Sequence, residues 1–208
     1  MQANQKDLMD GACQQPLTRS LGPSVSICQL NIEGISQAKC THLSRLLRQN
    51  NVDIVLIQET HTTSEYQLRT RGCIDGYEPV GATYHPHYGI ATYARSNIEN
   101  VHLVHSCSDH DISVITIDLN GTKITNVYKP PNVGWPTDTL KSFEHPALYI
   151  GDFNSHHTQW NYKNNDDNGD SLVEWAEFHN MNLVFDAKQP GTFGPPGGRT
   201  IIILIYVL

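Results

Sequence analysis

Residues 53–58 (DIVLIQ) form a nearly continuous apolar run that stops at Glu59. A short strand that is apolar on both sides must be buried on both faces, so the sheet containing it needs cover above and below. The runs around it supply that cover. Residues 25–31 (VSICQLN) are β-prone, and residues 36–50 follow with Leu43, Leu46 and Leu47 at helical spacing. Residues 76–95 are β-prone and punctuated by glycine, carrying Tyr77, Tyr84, Tyr88 and Tyr93, which predicts a hairpin. Residues 111–119 alternate as a half-buried strand with Ile115, Ile117 and Leu119 on one face. Asn120-Gly121 is a strong two-residue hairpin signal, so residues 123–128 are expected to return antiparallel.

Pro130, Pro131 and Pro136 break the pattern into a loop before a further strand at 147–150. Ser171 to Glu174 (SLVE) reads as a capping box opening a helix that carries Leu172, Trp175, Ala176 and Phe178. Residues 182–186 suggest another strand. Together these elements predict an α/β fold: two packed, mostly antiparallel β-sheets flanked by helices, a four-layer sandwich. One domain over 24–208 is expected behind a loose tail at 1–23.

Composition narrows the partners. With 38% hydrophobic and 17% charged residues the chain is globular rather than disordered. A formal charge of -7 gives no global pull toward nucleic acid or anionic lipid, so a polyanion would be met through a local basic patch or a bound cation. Five cysteines without a CxxC pair suggest no disulfide framework, and the first residues lack an apolar signal core. An intracellular setting, nucleus or cytoplasm, is expected rather than secretion. The longest apolar run, residues 201–208, is far short of the roughly 20 residues a membrane span requires and reads as a buried strand.

Polar residues gather where the strands end. Asn31 closes the first strand, Glu59 the second and Tyr128 the hairpin return, and Asp152 with Asn154 follows the later strand in YIGDFNSHHTQW. In a layered fold such ends converge on one rim, where sites are built. The set suits phosphodiester hydrolysis. Glu59 is the candidate ligand for a hard divalent cation that keeps several waters. Asp152 is placed to take the proton of an attacking water, with Asn154 on the same strand face, if extended, to orient it. Tyr128 offers a hydroxyl to the charge that grows on phosphoryl oxygens. Taken singly, each has a plainer reading: a turn former, a solvated strand end or a strand aromatic. Their joint arrangement is what points to chemistry.

The other polar groups are weaker signals. The eleven histidines include His85 with His87, and His102 and His105 with His110, as conceivable zinc ligands, but surface positions account for them better. Lys39, Arg45 and Arg48 read as a solvated helix face. Residues 162–170 (YKNNDDNGD) lack the register of a calcium loop and read as a polar surface loop.

At these residues the chain resembles the endonuclease/exonuclease/phosphatase superfamily with its deoxyribonuclease-I-like fold. The likeness is nearest to the apurinic-endonuclease-like domain of non-LTR retrotransposon polyproteins. The matching segments are QLNIEGI, DIVLIQETH, NVYKPPN, YIGDFNSHHTQW and LVEWAEFHNMNLVFD. The resemblance implies catalytic roles for Asn31, Glu59, Tyr128, Asp152 and Asn154, with Mg2+ (or Mn2+) at Glu59. It implies substrate contact by Thr192, and His156 is a further candidate for touching substrate. The implied reaction is nicking of DNA to leave a 3′ hydroxyl for reverse transcription, with a reverse transcriptase domain as possible partner in a longer polyprotein. Ile203 stands where such sequences carry an aspartate, and no Ser-Asp-His follows it in the chain. The expectation is a domain lacking its last strands, with an apolar end strand missing its neighbour and impaired turnover. Two alternatives stand beside it: a catalytically dead remnant or binding module, and a superfamily hydrolase of small phosphate esters.

Overall fold

The computed structural model describes residues 24–136 and 139–184, together with the backbone of residues 202–205. The expected tail at 1–23 and Thr192 lie outside the described residues. A four-stranded sheet is built from β1 (Ile27–Asn31), β2 (Ile54–Gln58), β3 (Tyr77–Ala82) and β4 (Ile90–Arg95) in the order β1-β2-β4-β3. A second sheet has the order β5-β6-β7-β8-β10-β9. Its strands are β5 (Val101–Asp109), β6 (Ile112–Leu119), β7 (Thr122–Tyr128), β8 (Ala147–Asp152), β9 (Leu183–Val184) and β10 (Ile202–Ile205). Three α-helices, α1 (Gln37–Gln49), α2 (Glu65–Arg71) and α3 (Asp167–Phe178), and a 3-10 turn at Thr158–Trp160 complete the described fold.

Strand β2 shows why its sequence is apolar throughout. Val55 and Ile57 face one way, into a cluster with Cys40, Leu43 and Leu47 of α1, Leu68 of α2, and Ala91 and Tyr93 of β4. Ile54 and Leu56 face the other way, joining Ile90 of the same sheet and Ile115, Ile117, Ile124 and Ile150 of the second sheet. A third cluster lies on the far side of the second sheet, where Val114, Val127 and Tyr149 meet Trp160 and Leu172. Helices, sheet, sheet and helix thus stack in four layers around three apolar interfaces, and the expected fold class is observed. Strand β6 was expected to be half-buried; it is buried along its whole length because α3 and the loops cover its second face.

Local signals account for most boundaries. Ser36 caps α1 by accepting from the Lys39 N–H. Asn120 and Gly121 both adopt positive φ, at 51° and 86°, as the tight β6–β7 hairpin requires. Three differences from the sequence reading stand out. Helix α3 begins a turn before Ser171, since Asp166 caps it by accepting from the Gly169 N–H at 2.7 Å, so part of the expected polar loop is helical. Lys39 lies on the exposed side of α1, yet its ammonium donates to the carbonyls of Ile32, Glu33 and Gly34 at 2.8, 2.8 and 2.9 Å and holds the loop after β1. The C-terminal apolar strand is not left without a neighbour: the β10 backbone pairs antiparallel with β8 on one side and β9 on the other. Among the described residues no helix is long and apolar enough to cross a membrane.

A polar seam crosses the interface between the sheets. The Gln29 amide donates to Gln58, whose own amide donates to Asn126 Oδ1 at 2.5 Å. Asn126 Nδ2 in turn donates to the Ala91 carbonyl and to Thr92 Oγ1 at 3.2 and 3.3 Å. Buried amides pair only in one relative position of the two sheets, so the seam fixes their register. Gln58 precedes Glu59 and Asn126 stands two residues before Tyr128, so that register is set directly beneath the rim.

Candidate active site

Two parallel strand pairs deliver the candidate residues. Asn31 pairs with Gln58, so the ends of β1 and β2 coincide and Glu59 emerges beside Asn31. Tyr128 pairs with Asp152, so β7 and β8 end together on the facing sheet. Two hydrogen bonds then span the sheets. Asn31 Nδ2 donates to Asp152 Oδ2 at 3.2 Å, and the Tyr128 hydroxyl donates to Glu59 Oε1 at 3.0 Å. Residues separated in sequence by 121 and 69 positions therefore meet, and both carboxylates stand largely buried at one rim, Glu59 8% and Asp152 7% exposed.

Glycine makes the β7–β8 approach possible. A Cβ on Gly151 would lie 1.9 Å from the Val127 carbonyl oxygen, far inside contact distance. Beyond Asp152 the chain is not extended, so the condition under which Asn154 would share its strand face is not met. Asn154 adopts φ 41°, and its backbone N–H turns back to Asp152 Oδ1 at 3.3 Å. The Asp152 side chain thus forms its own Asx-type turn, which brings Asn154 to the rim by reversal rather than by strand alternation. The Asn154 amide then donates to the Lys129 carbonyl at 2.8 Å, which fixes how its plane is turned.

The electrostatics follow from burial. The Tyr128 phenol is pushed far above its ordinary range, first by burial and then by the neighbouring charges of Glu59 and Asp152, so it remains a protonated donor. Both carboxylates thus act on this one hydroxyl.

Sequence reasoning passed over two residues. Lys129 is fully buried, its ammonium donating to the Pro130 and Val133 carbonyls at 3.0 and 2.8 Å and lying 5.8 Å from the Trp135 ring. Burial pulls its pKa down to about 8, with Asp166 and Asp152 opposing the fall. No pattern in NVYKPPN reveals this. His61 is the other: it belongs to the quoted ETH segment, and its Nε2 lies 3.8 Å from Glu59 Oε2. His156 is placed differently from the rim residues. Its ring stacks on Tyr162 at 4.1 Å and its Nδ1 lies 3.6 Å from Asp166, contacts made on the loop before α3.

The donor set is one of hard oxygens: carboxylates from Glu59 and Asp152 and amide carbonyls from Asn31 and Asn154. Among the described residues no group of three or more His, Cys, Asp and Glu side chains is gathered as a metal cage. One or two carboxylates at a partly open rim fit a small divalent cation that retains most of its waters.

A family model described as the endonuclease/exonuclease/phosphatase family matches residues 28–202. Solved structures are similar at low identity. The endonuclease domain of TRAS1, a telomere-specific non-LTR retrotransposon, aligns with a TM-score of 0.58 at 15% identity, covering 88% of this chain and 85% of that one. An AP endonuclease from Leishmania major aligns at 0.62 and 13% identity, covering 87% and 78%. A 3′ phosphatase from Neisseria, solved with a product DNA hairpin, aligns at 0.56 and 16%, covering 88% and 86%. A comparison with curated proteins returns no match.

Proposed function

The chain belongs to the endonuclease/exonuclease/phosphatase family, and from that premise we propose that it is a divalent-cation-dependent phosphodiesterase that nicks DNA, the endonuclease unit of a retrotransposon polyprotein. The observation that carries the reading is the pair of cross-sheet hydrogen bonds, Asn31 to Asp152 and Tyr128 to Glu59. These bonds bring two carboxylates, a phenol and a carboxamide from four strand ends to one place.

Glu59, with Asp152 nearby, would hold Mg2+ or Mn2+. When bound, the cation supplies Lewis-acid neutralisation of the phosphoryl oxygens. The protein's own groups do the rest. Asp152 takes the proton of the attacking water, and Asn31 Nδ2 on its Oδ2 holds the carboxylate in one orientation for that transfer. Asn154, fixed by its bond to the Lys129 carbonyl, presents its amide oxygen to the same water. Tyr128 keeps its proton across the neutral range, and its hydroxyl turns from Glu59 Oε1 to donate to a phosphoryl oxygen in the transition state. DNA as substrate and a reverse transcriptase domain as partner rest on the retrotransposon-like segments, chiefly GDFNSHHTQW.

The test is conversion of supercoiled plasmid to open circle in Mg2+ or Mn2+. Wild type is expected to nick and Asp152→Ala to lose at least about a hundredfold in rate, the usual scale for a positioned general base. Equal rates for the two proteins reject the proposal. The same fold holds a Bacteroides mannosyl-6-phosphatase, with a TM-score of 0.54. Phosphate release from sugar monophosphates, without plasmid nicking, would therefore favour a small-ester hydrolase.

A further inference from the structure

We propose that His61 Nε2 is a nitrogen ligand of the cation held at Glu59, making this a mixed carboxylate–imidazole site that prefers a first-row transition-metal ion to magnesium. The inference rests on the reading of Glu59 as the cation-holding residue.

The first observation is an orphan. His61 Nε2 is buried and has no hydrogen-bond partner among the described residues. A buried ring nitrogen left unpaired costs free energy, so native structures ordinarily satisfy it. The second is distance. Glu59 Oε2 lies 3.8 Å away, too far for a hydrogen bond and lacking the contact of a tight ion pair. Two ligands each about 2.1 Å from one small cation stand no more than about 4.2 Å apart, so the separation admits a shared ion.

The third is the backbone. Glu59 and His61 both hold left-handed conformations, φ 54° and 51°, on either side of the fully buried Thr60. Non-glycine residues in this region are strained, and two in three positions require the surroundings to impose them. They do so. The Glu59 carbonyl accepts from the Gly34 N–H at 2.7 Å, the His61 N–H donates to the Tyr88 carbonyl at 2.9 Å, and Arg71 donates to the His61 carbonyl at 3.2 Å. Gly34 also clears room for the ring, since a Cβ there would stand 3.2 Å from Nδ1. The chain thus holds an imidazole nitrogen and a carboxylate oxygen side by side and leaves the nitrogen unpaired. Imidazole suits transition-metal ions, whereas magnesium takes oxygen ligands and water.

Manganese is the probe, because Mn2+ is paramagnetic and its electron spin-echo modulation reports directly bound 14N. Wild type loaded with Mn2+ is expected to show 14N coupling that disappears in His61→Gln and persists in His85→Gln. Calorimetry is expected to give at least about tenfold weaker Mn2+ binding in His61→Gln, on the scale of lost metal-site partners, with Mg2+ binding changed much less. Mn2+-loaded wild type without 14N coupling overturns the inference whatever the variants do, as does failure to bind Mn2+. That result with Asp152-dependent nicking intact removes the imidazole ligand but leaves the nuclease reading. Coupling that depends on His61 without any nicking supports the ligand and removes the nuclease.

Discussion

Alanine in place of Gly151 is expected to lower the melting temperature by roughly 10 °C, corresponding to about 3 kcal/mol or more in a domain of this size. The reason is backbone against backbone. The new Cβ would sit 1.9 Å from the Val127 carbonyl oxygen and 2.7 Å from its carbonyl carbon. No rotamer change relieves a clash with a strand neighbour, so β7 and β8 must part. The pairing they lose runs from Lys123 with Ala147 to Tyr128 with Asp152, in the middle of the six-stranded sheet. Parting them also separates Tyr128 from Asp152, so any plasmid nicking should vanish with the fold. Gly134→Ala is the control, since a Cβ there meets nothing within 4 Å among the described residues. It should leave the melting temperature unchanged, measured by circular dichroism. A stable Gly151→Ala protein would show that the glycine is not needed for strand approach.

That glycine also marks where sequence reading succeeds. Asn31, Glu59, Tyr128 and Asp152 were legible because each ends an apolar or alternating run, and the ends of parallel neighbours coincide by hydrogen-bond register. What the pattern could not carry was anything decided by a turn or by burial of a charge. Asn154 reaches the rim through φ 41°, a conformation an asparagine tolerates but does not announce. Strand β5 was missed because it is an edge strand, exposed at most positions and rich in histidine and serine, with no apolar alternation to report it. Helix α2 spans only seven residues, too few for a helical period to rise above its neighbours. His61 looked like one more polar residue after Glu59; its orphaned nitrogen exists only once Gly34, Tyr88 and Arg71 surround it.

Lys129 is the sharpest case of a charge hidden from sequence, and it yields the second large effect. Its folded pKa of about 8 lies below the ordinary lysine value of 10.5, chiefly because burial disfavours the ammonium. The unfolded chain therefore holds this proton more tightly between about pH 8 and 10.5, and stability must rise with pH across that window through this group. Each unit is worth about 1.4 kcal/mol, so the full rise is about 3.5 kcal/mol. Other buried groups act against it: Cys40, raised to about 11, and the phenols of Tyr93, Tyr128 and Tyr149, pushed above that, resist ionising when folded and cost stability above pH 9 to 10. The comparison that isolates Lys129 is Lys129→Met, which keeps a long apolar stem and shares every other titration. At pH 7 the two proteins should differ little, because the variant sheds a buried charge while leaving the Pro130 and Val133 carbonyls without their donor. As pH climbs from 8 to 10, wild type should gain on the variant by about 1.4 kcal/mol per unit, since its neutral amine still donates to both carbonyls. Urea unfolding at each pH measures the gap. A gap that stays constant with pH would mean that Lys129 titrates alike in the folded and unfolded chain, and that its ammonium is solvated rather than enclosed beneath the loop that carries Trp135.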